Sequence, residues 1–137
     1  MKYLFDTDIL SNLMKRNPSS ALIERLKDLP PQFQYTSSIT VGEMYYGAFK
    51  SPYPQLIIKK IEEEVFPSLC GILSFDENTA REYGRIRTEL ETRGELLAEP
   101  DIRIAAISLV NDATLVTGNI KHFNRIKGLR VENWLEG

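Results

Sequence analysis

Short apolar runs alternate with helix-length segments from one end of the chain to the other, and that alternation restricts the fold more than any other feature. Lys2–Phe5 reads as a strand and Leu10–Lys15 as helix. Ala21–Leu29 puts Leu22, Leu26 and Leu29 on one helical face before Pro30-Pro31 ends it. Phe33–Ser37 reads as a strand, followed by helices over Thr40–Lys50 and Gln55–Val65. Gly71–Phe75 is a further strand, and Asp76 caps a helix that runs towards Arg93 and stops at Gly94. Asp101–Asn111 is an apolar helix, Thr114–Thr117 a buried type of strand and Arg130–Glu132 the last one. The chain has 137 residues, enough for one hydrophobic core, so a single domain over residues 1–137 is expected. Strands and helices alternating within one domain predict an α/β fold, with a mostly parallel central sheet flanked by helices on both faces. Such sheets build their sites outside the carboxyl ends of the strands, where the strand order reverses.

Several function classes are disfavoured by what the sequence lacks. Met1 leads straight into Tyr3-Leu4-Phe5, with no basic leader, apolar segment and cleavage site in succession, so no secretion signal is expected. The longest apolar stretch, Ile104–Val110, is interrupted by Ser108 and falls far short of the roughly 20 residues that span a bilayer. No membrane partner is therefore expected. Cys70 is the only cysteine, which rules out an intrachain disulfide and four-cysteine zinc sites, and a single histidine argues against other zinc sites. Its setting, Leu69-Cys70-Gly71-Ile72, reads as a buried core thiol, and a cytoplasmic location fits. The net charge of −2 argues against a bulk nucleic-acid binder. Residues 102–130, however, carry Arg103, Lys121, Arg125, Lys127 and Arg130 against Asp112 alone. A local basic strip of this kind steers a phosphate backbone, although an ordinary charged surface has the same composition.

The informative side chains are acidic and lie where strands meet helices. Asp6 ends the first strand in Phe5-Asp6-Thr7-Asp8. Glu43 falls in the first turn of the helix after Phe33–Ser37, Asp101 opens the helix of Pro100-Asp101-Ile102-Arg103, and Asn119 follows Leu115-Val116-Thr117. In a parallel sheet, strand ends on one edge bring several of these together. Clustered carboxylates repel one another unless a cation neutralises them. Oxygen ligands without His or Cys select Mg²⁺ or Mn²⁺, and such an ion activates water and polarises a phosphoryl oxygen. Each residue also has a purely structural reading. Asp6 or Asp8 caps the first helix; Thr40-Val41-Gly42-Glu43 forms a capping box; Asp101 complements a helix dipole; Asn119 makes a turn after Gly118. Spacing alone leaves both sets open.

Taken in order, the motifs resemble the PIN-domain family and, within it, the VapC toxins. Leu4-Phe5-Asp6-Thr7-Asp8-Ile9-Leu10 is similar to the family's opening strand and first acid. Ser37-Ser38-Ile39-Thr40-Val41-Gly42-Glu43 with Gly47 resembles the second acidic motif, Asp101-Ile102-Arg103-Ile104-Ala105-Ala106 the third, and Thr114-Leu115-Val116-Thr117-Gly118-Asn119 with Phe123 the fourth. The closing Gly128-Leu129-Arg130-Val131-Glu132-Asn133-Trp134 also looks like these chains. The resemblance implies a PIN-domain fold and a Mg²⁺- or Mn²⁺-dependent endoribonuclease acting on RNA, a transfer RNA being one substrate. It implies metal-ligand roles for Asp6, Glu43 and Asp101, a catalytic place for Asn119, a homodimer and a cognate antitoxin. Asp8 sits beside the first motif as a weaker candidate. Asn119 stands where many PIN nucleases have Asp, so this position brings no charge. The resemblance also implies that an antitoxin covers the first helices with Tyr45, Tyr46 and Phe49 and sends a basic side chain to the acids, and that apolar helix faces between Leu56 and Val65 supply the dimer. By helical spacing Tyr45, Tyr46 and Phe49 read as core and interface rather than as a base-stacking platform. Two alternatives are a non-catalytic PIN-like RNA-binding or assembly subunit and a haloacid-dehalogenase-type phosphatase. The phosphatase needs a later strand ending in paired acids, and only Glu132 and Glu136 follow Lys121.

Overall fold

A computed structural model describes residues 1–136. Five parallel strands form one sheet in the order β3-β2-β1-β4-β5. They are β1 (Tyr3–Phe5), β2 (Gln34–Ser37), β3 (Gly71–Leu73), β4 (Thr114–Val116) and β5 (Val131–Glu132). The helices are α1 (Thr7–Leu13), α2 (Ser20–Lys27), α3 (Ser38–Lys50), α4 (Pro54–Lys60), α5 (Glu77–Thr92), α6 (Glu99–Val110) and a short α7 (Ile120–Phe123). Central β1 pairs Leu4 with Leu115 and Phe5 with Val116, and all four are buried. Successive strand side chains point to opposite faces. Leu4 and Leu115 accordingly pack with Ile86, Leu90, Ile104 and Phe123 on the α5–α6–α7 face. Phe5 and Val116 pack with Ile9, Leu22, Met44 and Trp134 on the other. The expected α/β architecture, with helices on both faces of a parallel sheet, is present.

Local chemistry sets the element boundaries. α6 is buried from Ile104 to Ser108, which explains its apolar run, and the Ser108 hydroxyl donates to the Ile104 carbonyl at 3.0 Å. Asp76 accepts from the Thr79 N–H at the start of α5, and Gly94 takes a positive φ of 68° after its end, as expected from the sequence. α3 begins at Ser38 rather than Thr40 because Ser37 caps it, its hydroxyl accepting from the Thr40 N–H at 3.0 Å. Glu43 therefore lies beyond the first turn, and the capping-box reading is overturned. The expected helix over Gln55–Val65 is α-helical from Pro54 to Lys60 and widens to a π turn over Ile61–Val65. Ile61 and Val65 are buried there, Ile57 and Ile58 are half-buried, and Leu56 is the large apolar side chain of that segment that stands exposed.

Cys70 is exposed, contrary to its expected burial. It precedes an edge strand, and its N–H is held by the Gln34 carbonyl at 2.7 Å while its side chain faces outward. Tyr46 and Phe49 also lie outside the core, each 65% exposed. Among the described residues no helix is long and apolar enough to cross a membrane.

Candidate active site

The chain winds from β1 through β2 to β3 on one side, then crosses to β4 on the other side of β1. The strand order therefore reverses between β1 and β4, where open α/β sheets place their crevice. Asp6 lies at that point. Its N–H extends the ladder to the Val116 carbonyl at 3.0 Å. Its Oδ1 accepts from the Thr7 N–H at 2.8 Å, capping α1, and its Oδ2 accepts from the Thr117 hydroxyl at 2.9 Å. The cap and the site are thus one carboxylate. Burial pushes the Asp6 carboxyl up to about 6; the Thr7 N–H opposes the shift, the Asp8 charge adds to it, the Thr117 hydroxyl opposes it, and Asp101 adds a little more.

Asp8 projects from the first turn of α1. Its Oδ2 accepts from the Gly118 N–H at 2.8 Å, across the β1–β4 junction. Its Oδ1 is inaccessible to solvent and has no hydrogen-bond partner among the described residues. Residue 118 has to be glycine for this approach, because a Cβ there would lie 2.7 Å from Asp8 Oδ2. Asp101 enters from the first turn of α6, with Oδ2 3.7 Å from Nδ1 of the His122 ring. Burial raises the Asp101 carboxyl above its ordinary range, His122 opposes this, and Asp8 raises it further.

Glu43 joins at one remove. It is exposed on α3, and its Oε1 accepts from the Thr7 hydroxyl at 2.7 Å. Thr7 therefore ties Asp6 through its backbone and Glu43 through its side chain. Asn119 stands at the rim, exposed, with its N–H donating to the Thr117 hydroxyl at 3.1 Å. It precedes α7 without a side-chain capping bond. Asp6 and Asp101 thus come together with Asp8, Glu43 flanks them, and Asn119 lies on the opposite flank. The bridging roles of Thr7, Thr117 and Gly118, and the contact of His122 with Asp101, have no signal in the sequence.

Among the described residues no three acidic, imidazole or thiol side chains lie close enough together, as they stand, to hold a metal ion between them. Mg²⁺ does not need three, since it keeps several waters and takes one or two carboxylates. The donor set here is all oxygen. The orphaned Asp8 oxygen and the raised Asp6 and Asp101 carboxyls are what mutual repulsion and burial leave behind where a cation is the missing partner, so the residues fit such an ion. Two hollows flank the acids. One, of about 300 Å³, runs between α1, α3 and α4 along Ser11, Met14, Glu43, Gly47 and Ile57. The other, of about 410 Å³, is lined by Asn119, Lys121, His122, Asn133 and Glu136. Glu132 is committed elsewhere, accepting from Arg25 and the Trp134 indole at 2.9 Å each, so no paired acids end β5.

The PIN domain family matches residues 3–129. Ribonuclease VapC2 of Haemophilus influenzae is 39% identical over 135 residues, covering 98% of this chain and 99% of its own. The tRNA(fMet)-specific endonuclease VapC of Shigella flexneri is 33% identical over 134 residues, covering 98% of each. Among solved structures, VapBC2 of Rickettsia felis bound to a DNA fragment from their promoter superposes with a TM-score of 0.87 at 34% identity. That match covers 98% of this chain and 99% of the other.

Proposed function

Because this chain belongs to the PIN-domain family and, within it, to the VapC ribonucleases, we propose that it is a Mg²⁺- or Mn²⁺-dependent endoribonuclease, the toxin of a toxin–antitoxin pair. The observation that carries the reading is the approach of Asp6, Asp8 and Asp101 at the β1–β4 switch point, with one buried Asp8 oxygen that has no hydrogen-bond partner among the described residues. Asp6 and Asp101 would hold the ion, with Glu43 beside them. Bound there, the ion supplies an activated water and charge stabilisation at the phosphate. The Thr7 N–H and the Thr117 hydroxyl fix the Asp6 carboxylate in one orientation, so no reorganisation is needed as charge develops. Glu43 Oε1 accepts from the Thr7 hydroxyl, and the other carboxylate oxygen of this exposed side chain would take the attacking water's proton. Asn119 offers a neutral amide to the substrate phosphate or its water.

The substrate is RNA, and the name of the Shigella relative favours a folded transfer RNA. The basic strip supports this in part. Arg103 is neutralised by Glu99 and Arg130 by Asp112, but Lys121, Arg125 and Lys127 are exposed and make no ion pair among the described residues. A cognate antitoxin lays apolar side chains along the hollow between α1, α3 and α4 and sends a cation to the acids, whose burial makes any opposite charge welcome. A homodimer is part of the same reading. Sequencing RNA ends after brief induction tests it. New discrete ends are expected with the wild-type chain and none with Asp101→Asn; the same ends with both overturn it.

A further inference from the structure

Asn119 leaves the fourth acidic motif without a charge, yet the site beside it is not short of carboxylates. Asp8 reaches across from α1 and accepts from the N–H of Gly118, the residue before Asn119. That bond uses Oδ2 only. Oδ1 is buried, accepts nothing, and belongs to a carboxylate whose charge acts on both Asp6 and Asp101. A carboxylate whose sole purpose was to fasten the Gly118 loop would leave its other oxygen to water, because burying an unpaired anionic oxygen costs free energy. The chain also keeps residue 118 free of a Cβ, which would press on the bonded oxygen. One oxygen is held and the other is withheld from solvent, a geometry suited to a fixed, preoriented ligand.

We infer that Asp8 is a ligand of the divalent ion, bound directly or through one of its waters by Oδ1, and that it supplies at this edge of the site the charge that Asn119 does not. The assignment rests on the metal-dependent reading above and adds a residue to it. It reorders the candidates: Asp6, Asp8 and Asp101 form the charged core, Glu43 is attached through Thr7, and Asn119 is an accessory at the rim.

Calorimetric titration of Mn²⁺ into the free protein, with melting curves in EDTA alongside, decides the matter. Asp8→Asn is the informative change because its amide oxygen still accepts from the Gly118 N–H while the charge is lost. Its Mn²⁺ affinity is expected to fall by roughly tenfold or more, since loss of even an outer-shell partner of a metal costs about 10–100-fold. Its melting temperature in EDTA is expected to equal or exceed that of the wild type, since repulsion with Asp6 and Asp101 is relieved. Asn119→Ala should weaken Mn²⁺ binding less than Asp8→Asn does. Wild-type affinity in Asp8→Asn, or a larger loss in Asn119→Ala, overturns the role of Asp8 while leaving the metal-dependent reading intact. A wild-type chain that binds no Mn²⁺ removes both.

Discussion

Asp6 performs two tasks that pull its ionisation in opposite directions. As the cap of α1 it accepts a backbone N–H, which favours the charged form; as a buried neighbour of Asp8 and Asp101 it is driven towards the neutral one, and burial wins. Between its ordinary value of 3.8 and about 6 the native state binds more protons at this residue than the unfolded state does. Metal-free stability attributable to Asp6 therefore falls as pH rises through that window, and above it the charged carboxylate costs up to about 3 kcal/mol. Asp101, raised in the same direction, adds to the trend. Asp6→Asn is expected to melt higher than wild type in EDTA at pH 7.5, with the advantage shrinking as pH drops through 6 and gone below 4. A lower melting temperature for Asp6→Asn at pH 7.5 would mean that the cap outweighs the burial. Asp6, Glu43 and Asp101 stand out in the sequence as acids at strand and helix ends. The groups that organise them do not. Thr117 and Gly118 meet Asp6 and Asp8 across more than a hundred residues of chain, and only the order of strands in the sheet decides that pairing.

At the scale of elements, the alternation of apolar runs located every strand and six of the helices, and the differences fall where side chains compete for backbone groups. Ser37 takes the Thr40 N–H and starts α3 early, freeing Glu43 from the end of the helix to reach Thr7. The short α7 is a turn and a little more, too brief to show a period. Cys70 looks apolar in sequence, but β3 is an edge strand, and the sheet order was not legible from local composition. The exposed Tyr46 and Phe49 share a face of α3, which packs against α1 and α4 beside the hollow that reaches Glu43. Helical spacing alone does not separate such a face from core. Phe49→Ala is expected to leave the melting temperature nearly unchanged, within about 0.5 kcal/mol of stability. It is also expected to weaken binding of the proposed antitoxin partner by roughly tenfold, as loss of an aromatic anchor does. Wild-type affinity in that variant would place the partner on another surface.

For the whole molecule, the balance of charge frames the problem. The chain carries a net charge of −2 and draws three carboxylates to the crevice where its strand order reverses, an arrangement that repels a phosphate backbone unless a cation intervenes. The cationic residues Lys121, Arg125 and Lys127 follow β4 in sequence, and α7 opens beside the acids. The fold thus sets a basic segment next to an acidic crevice, and in the proposed function a divalent ion would reconcile that crevice with an anionic substrate. The most direct test is cleavage of purified transfer RNA by the purified chain in Mg²⁺ or Mn²⁺, in EDTA, and with Asp101→Asn in either metal. The account predicts discrete fragments from the wild type with metal and intact RNA under the other two conditions; fragments in EDTA, or undiminished cleavage by Asp101→Asn, would contradict it.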